Sequence, residues 1–190
     1  MKWVVLLRGV NVNGVTVRSA ALSACLQEAG FTGVRSVLAS GNVVLEADDA
    51  HSAQDVRSRV EAALRSAFGY EAWVVVLTPQ RLAEVAAAYP FARDDEHVHP
   101  YVTFTSDPGR LAALAAEHLE DDAENHVENH ADDDAEAVVL AGDVLYWRCP
   151  KGASTDTPFA RRAGAARWKP FVTTRNLRTV GKLLAVAGGA

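Results

Sequence analysis

Short apolar runs of strand length alternate with amphipathic helical stretches along the first 78 residues. This alternation constrains the fold more than any other feature of the chain. The predicted strands lie at residues 3–8, 34–39 and 72–77 and from Val43 onward, and the predicted helices lie at about 20–29 and 52–67. Strand, helix, two strands, helix and strand in that order are typical of the ferredoxin-like, or split βαβ, unit. We therefore predict an α+β fold whose first subdomain spans residues 1–78.

The second half of the chain repeats part of this order. A connecting helix and linker occupy residues 79–99, with the helix at about 79–88. The pattern then predicts a strand at 100–105, a helix through about His118, a hairpin of 136–141 with 143–149, and a last helix from about Asn176 to Ala187. Residues 150–174 lack periodicity and are predicted to be mostly irregular. We therefore predict a second ferredoxin-like subdomain at 100–190 that is incomplete.

Charge is distributed unevenly along the chain, whose net charge is −5. Residues 91–136 carry 14 acidic and 2 basic side chains, whereas residues 157–190 carry 7 basic side chains and no acidic one. Two interpretations stay open. The two segments lie near one another and neutralise each other, or the basic segment forms an anion site. The most polar stretch, 120–136, lacks an apolar stripe and is predicted to be a solvated loop or a frayed helix end.

No apolar run approaches the length of about 20 residues that crosses a bilayer. The N-terminal run ends at Arg8 and is therefore interpreted as a strand rather than a signal peptide. We expect a cytoplasmic protein with no membrane partner; partner proteins stay unknown.

Two cysteines, Cys25 and Cys149, are too few for a disulfide framework. Cys25 lies within a helical pattern and is interpreted as a small buried hydrophobe. Cys149 precedes Lys151 by two residues, and a nearby cation can lower the pKa of a thiol. A nucleophilic role for Cys149 has no His or Asn partner placed by the sequence, so we expect it to be inert.

Two candidate binding motifs lie in the first half and combine Arg, Asn, Gly and Ser. The first, residues 8–14, places Arg8, Asn11 and Asn13 directly after the first strand. The second places Ser40 and Asn42 around Gly41, between the second and third strands. Gly- and Asn-rich turns expose backbone N–H groups that suit anions. The alternative is that both are structural turns.

The third candidate motif, Thr174, Arg175 and Asn176, leads into the predicted last helix. A helix N-terminus beside an exposed arginine is a favourable anion or phosphate site. The alternative is helix capping together with a solvated basic face.

Two weaker patterns concern metals and aromatic side chains. His126 and His130 have the i, i+4 spacing of zinc ligands, but the sequence places no third ligand. We predict no metal site and no cofactor. Four aromatic residues flank basic ones and offer either base-stacking surfaces or core anchors; we favour core anchors for Trp147, Phe159, Trp168 and Phe171.

Three blocks of sequence resemble a known family. LLRGVNVNG at 6–14, GFTGVRSVLASGNVVLEA at 30–47 and TTRNLRTVGKL at 173–183 are similar to the hallmark blocks of the uncharacterised bacterial family catalogued as domain of unknown function 1697. The chain departs from that pattern at Asn13, usually Gly, at Leu177, often Trp, and near Leu45, where Phe is frequent. The resemblance implies an α+β fold with two ferredoxin-like subdomains, and it implies no activity.

Three hypotheses for function follow. The leading one is a binding protein for an anionic ligand, either a nucleotide-like small molecule or a nucleic acid. Its predicted site combines Arg8, Asn11, Asn13, Ser40, Asn42, Thr174, Arg175 and Asn176. The second is a structural or protein-interaction role in which the motifs tie the subdomains together. The third is an enzyme of unknown reaction, which no carboxylate pair or catalytic triad supports.

Overall fold

The computed structural model describes residues 1–8, 17–38, 41–69, 71–93, 95–125 and 136–188, with the backbone alone for 121–125. The chain divides into two compact units, one formed by Met1–Ala88 with Arg178–Ala190 and the other by Tyr89–Leu177. Each unit contains a four-stranded antiparallel sheet, so the predicted α+β class is confirmed. None of the described helices is long and apolar enough to cross a membrane.

The elements follow the chain in an order close to the predicted one. In the first half they are β1 (Lys2–Arg8), α1 (Ser19–Glu28), β2 (Thr32–Ser36), β3 (Asn42–Glu46), α2 (Ala53–Phe68), β4 (Trp73–Leu77) and α3 (Pro79–Ala87). In the second half they are β5 (Val98–Thr105), α4 (Pro108–Asn125), β6 (Ala137–Ala141), β7 (Val144–Pro150), α5 (Pro158–Ala163), β8 (Val172–Asn176) and α6 (Leu177–Ala187).

The first unit is built around β1, which lies in the interior of a sheet with the strand order β2-β3-β1-β4. Successive side chains of a strand point to opposite faces. Trp3, Val5 and Leu7 pack in one core cluster with the buried residues of α1 and α2. Val4 and Leu6 are fully buried on the opposite face. A strand buried on both faces explains why residues 3–7 form a continuous apolar run.

The last helix, α6, belongs to the first unit except for its first residue. Its side chains Val180, Leu183 and Ala187 are buried. The ammonium of Lys2 on β1 donates to the Ala187 carbonyl at 3.2 Å. This grouping differs from the predicted division at residues 78 and 100, which placed the last helix in the second subdomain.

The second unit has the strand order β6-β7-β5-β8, with every pair antiparallel. Leu145, Trp147 and Cys149 of β7 pack against Leu111 and Leu114 of α4. Phe159 of α5 joins the same cluster and is fully buried.

Two features of the second half differ from the sequence predictions. Residues 150–174, predicted to be mostly irregular, contain α5 and most of β8, so the second half is not incomplete in its order of elements. α4 continues to Asn125, beyond its predicted end near His118, so the start of the stretch 120–136 is the end of a helix, which was one of its two interpretations. The short length of α5 and the polar composition of β8 explain why neither produced a periodic signal.

Candidate functional site

Two of the predicted site residues lie on neighbouring strands at one end of the first unit's sheet. Arg8 is the last residue of β1 and Asn42 is the first residue of β3. Asn42 lies opposite Leu6 in the antiparallel register, so Arg8 lies two positions beyond that pair. Residues two apart share a face, and such diagonal neighbours are about 7–8 Å apart. The structure therefore brings Arg8 and Asn42 together on one face, and we call this pair the Arg8–Asn42 site.

The environment of this site differs from that of a surface arginine. Asn42 is 4% exposed and Arg8 is half-buried. Burial lowers the pKa of the Arg8 guanidinium from its usual value, because removal from water disfavours the charged form. A negative charge beside the guanidinium offsets this cost, and in a medium of low dielectric constant the attraction is stronger than in water. A half-buried arginine beside a buried amide is thus suited to bind an anion.

The backbone around Asn42 is held on both sides. The Leu7 N–H donates to the Gly41 carbonyl at 2.7 Å, and the Val37 N–H donates to the Asn42 carbonyl at 2.8 Å. Gly41 has a φ of +71°, a conformation that glycine adopts without strain. Predicted site residues Asn11, Asn13 and Ser40 lie outside the described residues, and their roles stay predictions.

Arg35 belongs to the same face and was missed by the sequence analysis. It lies opposite Val44, and Val44 shares a face with Asn42 two residues away. The side chain of Arg35 is exposed. The alternation of side chains between the two faces of β2 was the available signal. Without the register of β2 against β3, however, it does not reveal which residue lies opposite Arg35.

The third motif lies in the second unit, within β8, and leads directly into α6. The Arg175 Nη1 donates to the Thr173 hydroxyl at 2.7 Å and to the Thr174 carbonyl at 2.8 Å. The hydroxyls of Thr174 and Thr103 lie 2.8 Å apart across the β5–β8 pair. Arg175 and Asn176 are half-buried. The Arg175 guanidinium is thus bonded within its own strand and half-buried rather than fully exposed, two residues before α6 begins at Leu177. The single surface predicted from all three motifs stays a prediction.

The basic segment makes contacts with the acidic middle of the chain. Arg162 Nη1 donates to the Glu117 carbonyl at 2.5 Å, and Arg167 forms an ion pair with the Glu117 carboxylate. The Arg167–Glu117 ion pair is a contact of the kind that mutual neutralisation requires, whereas the Arg162 bond is to a backbone carbonyl.

The aromatic residues of the second unit serve mainly as core. Trp147, Phe159 and Trp168 are at most 3% exposed. Phe171 is half-buried, and the Arg110 guanidinium lies 4.8 Å from its ring centre. Core anchoring is therefore confirmed for the three buried rings.

Cys149 is fully buried at the end of β7. Burial, and then the charge of Glu136, raise the pKa of the Cys149 thiol to about 11. The suggestion that Lys151 lowers this pKa is wrong, and the thiol is not activated as a nucleophile. The other cysteine, Cys25, is also buried, and burial raises the pKa of its thiol. His126 and His130 lie outside the described residues.

The raised pKa of Cys149 predicts a loss of stability at alkaline pH. The folded state favours the neutral thiol over the thiolate. The stability that the protein gains from this preference is fully present below pH 9 and is lost as the pH rises toward about 11. A shift of this size corresponds to on the order of 2 kcal/mol. Urea unfolding at several pH values between 8 and 11 should show a steeper decline for the wild type than for Cys149→Ala. Parallel curves for the two proteins contradict the prediction.

Comparisons with known proteins place the chain in a family and give it a structural neighbour. The model of a family described as "Protein of unknown function (DUF1697)" matches residues 1–146. The solved structure of conserved bacterial protein SP0830 from Streptococcus pneumoniae is similar over 98% of both chains, with a TM-score of 0.69 and 18% identity. At that identity the likeness shows the fold alone. A search of the curated proteins found no match.

Proposed function

We propose that this chain, which belongs to the DUF1697 family of proteins of unknown function, binds an anionic, phosphate-bearing ligand at the Arg8–Asn42 site. The ligand is either a nucleotide-like small molecule or a nucleic acid. The observation that carries the proposal is the position of a half-buried arginine and a buried asparagine on one face of adjacent strands. In the sequence, residues 9–14 follow Arg8 directly and residues 40–41 precede Asn42, and these stretches contain Gly, Asn and Ser.

Each group has a defined chemical task in this proposal. The Arg8 guanidinium binds two oxygens of a phosphate through parallel N–H donors. The Asn42 amide orients the ligand, and Arg35 adds a second positive charge on the same face. Asn11, Asn13 and Ser40 add polar donors, as the sequence analysis predicts.

Replacing Arg8 by Ala is expected to weaken binding of the ligand by about 10–100-fold. Hydrogen bonds to a charged group contribute about 1.5–3 kcal/mol, which corresponds to that range. Calorimetric titration with pyrophosphate, ADP and a single-stranded RNA oligonucleotide measures the effect and identifies the ligand class. A steep fall of affinity as the salt concentration rises indicates that the ligand is a nucleic acid.

The matched control for this experiment is Arg65→Ala. Arg65 has the same charge, lies in the last turn of α2 and is exposed. We expect its removal to change affinity less than twofold. Equal losses for the two variants mean that binding depends on net charge alone and contradict a defined site.

A structural role for the third motif is the second candidate function, and one observation favours it. The Arg175 guanidinium is engaged by the Thr173 hydroxyl and the Thr174 carbonyl of its own strand. In this account Thr174, Arg175 and Asn176 hold β8 in the sheet, while the ligand binds elsewhere.

Replacing Arg175 by Ala is therefore expected to lower the free energy of unfolding by about 1–3 kcal/mol, because the Thr173 hydroxyl and the partly buried Thr174 carbonyl lose their donor. Thermal unfolding followed by circular dichroism measures this loss. Arg161→Ala, at an exposed position of α5, is the control and should change stability by less than about 0.5 kcal/mol. Unchanged stability of Arg175→Ala, together with weaker retention on phosphocellulose, favours a binding role instead.

The two units are further proposed to be ferredoxin-like. What supports this is that β1-α1-β2-β3-α2-β4 and β5-α4-β6-β7-α5-β8 have the same order of elements. The strand orders, β2-β3-β1-β4 and β6-β7-β5-β8, also correspond. A cytoplasmic location stays part of the proposal, and the two free buried thiols are compatible with a reducing compartment.

A further inference from the structure

The outer edge of the second unit's sheet is formed by β6. Within the described part of the chain, β6 pairs with β7 alone. Its five residues, Ala-Val-Val-Leu-Ala, include no charge and no proline. Val139 and Leu140 are 39% and 41% exposed. A regular, uncharged and exposed edge presents N–H and C=O groups that can pair with another strand.

The corresponding edge of the first unit is protected against such pairing. β2 has a register shift between Thr32 and Arg35, and Arg35 is exposed. Bulges and charged side chains are the usual means by which proteins prevent edge strands from associating. β6 has neither, and its register with β7 is continuous from Ala137 to Ala141. This difference indicates that β6 accepts a partner strand.

The geometry of the turn after β6 establishes which backbone N–H and C=O groups of β6 are not bonded to β7. Gly142 and Asp143 form a two-residue connection between the opposed residues Ala141 and Val144. Gly142 has a φ of +64°, as the first central position of a type II′ turn requires. Residues that flank such a turn form a hydrogen-bonded pair, and hydrogen-bonded pairs alternate along the ladder. Val139 therefore bonds to β7, whereas the backbone groups of Val138 and Leu140 point outward.

We propose that two copies of this chain associate through β6, antiparallel, about a two-fold axis at Val139. In this register Val138 lies opposite Leu140 of the partner subunit, and Leu140 lies opposite Val138 of the partner subunit. Both pairs use the outward backbone groups that β7 leaves unused. Val139 faces Val139 of the partner subunit in a non-hydrogen-bonded pair, where side chains approach most closely.

The strand's own sequence argues for a second copy as the occupant. Ala-Val-Val-Leu-Ala is nearly symmetric about its central residue, so antiparallel self-pairing places apolar residues opposite apolar residues throughout. A two-fold interface must be self-complementary in this way. Five-residue strands bury less than about 1,200 Å² in total, so the dimer is weak and forms in a concentration-dependent manner.

Sedimentation equilibrium of the full chain tests the proposal. The average mass of the wild type should rise from 20.3 kDa toward twice that value as concentration increases. Val139→Lys and Val139→Glu should each weaken association at least about tenfold, because like charges then face each other. An equimolar mixture of the two variants should recover the dimer, because opposite charges meet across the axis.

Leu119→Lys is the matched control. Leu119 is 60% exposed on α4, outside the edge, so this variant should associate like the wild type. A wild type that stays monomeric at millimolar concentration overturns the proposal. So does a mixture of Val139→Lys and Val139→Glu that does not recover association, or a loss in Leu119→Lys as large as that in Val139→Lys.

Hydrogen exchange gives a readout that does not depend on any variant. On raising the concentration, the amides of Val138 and Leu140 should become protected by at least about tenfold. The amide of Val139, already bonded within the hairpin, should change little. Equal changes at all three positions contradict the proposed register.

Discussion

Replacing Phe159 by Ala is expected to lower the free energy of unfolding by about 3–5 kcal/mol, the range for removal of a large aromatic side chain from a core. Phe159 is fully buried, with its ring centre 5.3 Å from that of Trp147 and 5.4 Å from that of His118. The surrounding side chains belong to different elements and cannot close the cavity together. Urea denaturation followed by circular dichroism measures the loss.

The control for this variant is Phe171→Ala. Phe171 is half-buried, and Arg110 lies over its ring, so removal leaves a space that solvent can enter. We expect less than half the loss found for Phe159→Ala. A Phe159→Ala protein within about 1 kcal/mol of the wild type contradicts the packing of α5 into this core.

Replacing Glu136 by Ala is expected to cost about 2–3 kcal/mol. Its carboxylate accepts a hydrogen bond from the Trp147 indole at 2.8 Å and another from the Phe159 N–H at 3.3 Å. Trp147 is 3% exposed, so its N–H loses a partner where water does not readily replace it. Buried donors left without an acceptor cost about 1–3 kcal/mol each. Chemical denaturation of the variant measures this cost.

Glu120→Ala is the appropriate comparison for Glu136→Ala. Glu120 belongs to the same acidic stretch but is exposed on α4. Its removal should change stability by less than about 0.5 kcal/mol. Equal effects of the two substitutions mean that repulsion within the acidic stretch, rather than the two hydrogen bonds of Glu136, governs stability there.

The elements with strong periodicity were predictable from the sequence. β1 and β4 are apolar runs, with β1 buried from Trp3 to Leu7 and β4 buried at Val74 and Val75. α2 has both an amphipathic stripe and a capping box at Ser52 and Asp55. β8 was missed because Thr173, Thr174 and Arg175 look like a loop when read alone. Their strand conformation depends on β5, about 70 residues earlier, where Thr103 provides a hydroxyl partner for Thr174. Such a tertiary contact has no local signal.

A local signal for α5 did exist. Thr157 accepts a hydrogen bond from the Ala160 N–H, and Pro158 occupies the first helical position. Thr followed by Pro is a helix-start signal. The helix is only six residues long, which is too short for a periodic apolar pattern. The capping signal alone therefore did not distinguish α5 from the irregular residues around it.

The candidate site was predictable in residue type but not in arrangement. Arg8 and Asn42 were selected because Arg, Asn and Gly recur at turn positions. Their adjacency depends on the β1–β3 register, which pairs residues 36 positions apart in the sequence, Leu6 with Asn42. Arg175 has the same residue type as Arg8, and its guanidinium bonds to the Thr173 hydroxyl and the Thr174 carbonyl, contacts that the residue type does not predict. Composition alone does not distinguish these two arginines.

Nuclear magnetic resonance of the Arg8 and Asn42 side chains tests the anion site most directly. During titration with pyrophosphate or ADP, we expect the Arg8 Nε–H and Asn42 Nδ2 signals to shift together and to saturate at one equivalent of ligand. The Arg65 signal should stay in place. Signals that shift only in exposed arginines such as Arg161 and Arg167, without saturation, would show diffuse charge attraction and contradict a binding site at Arg8 and Asn42.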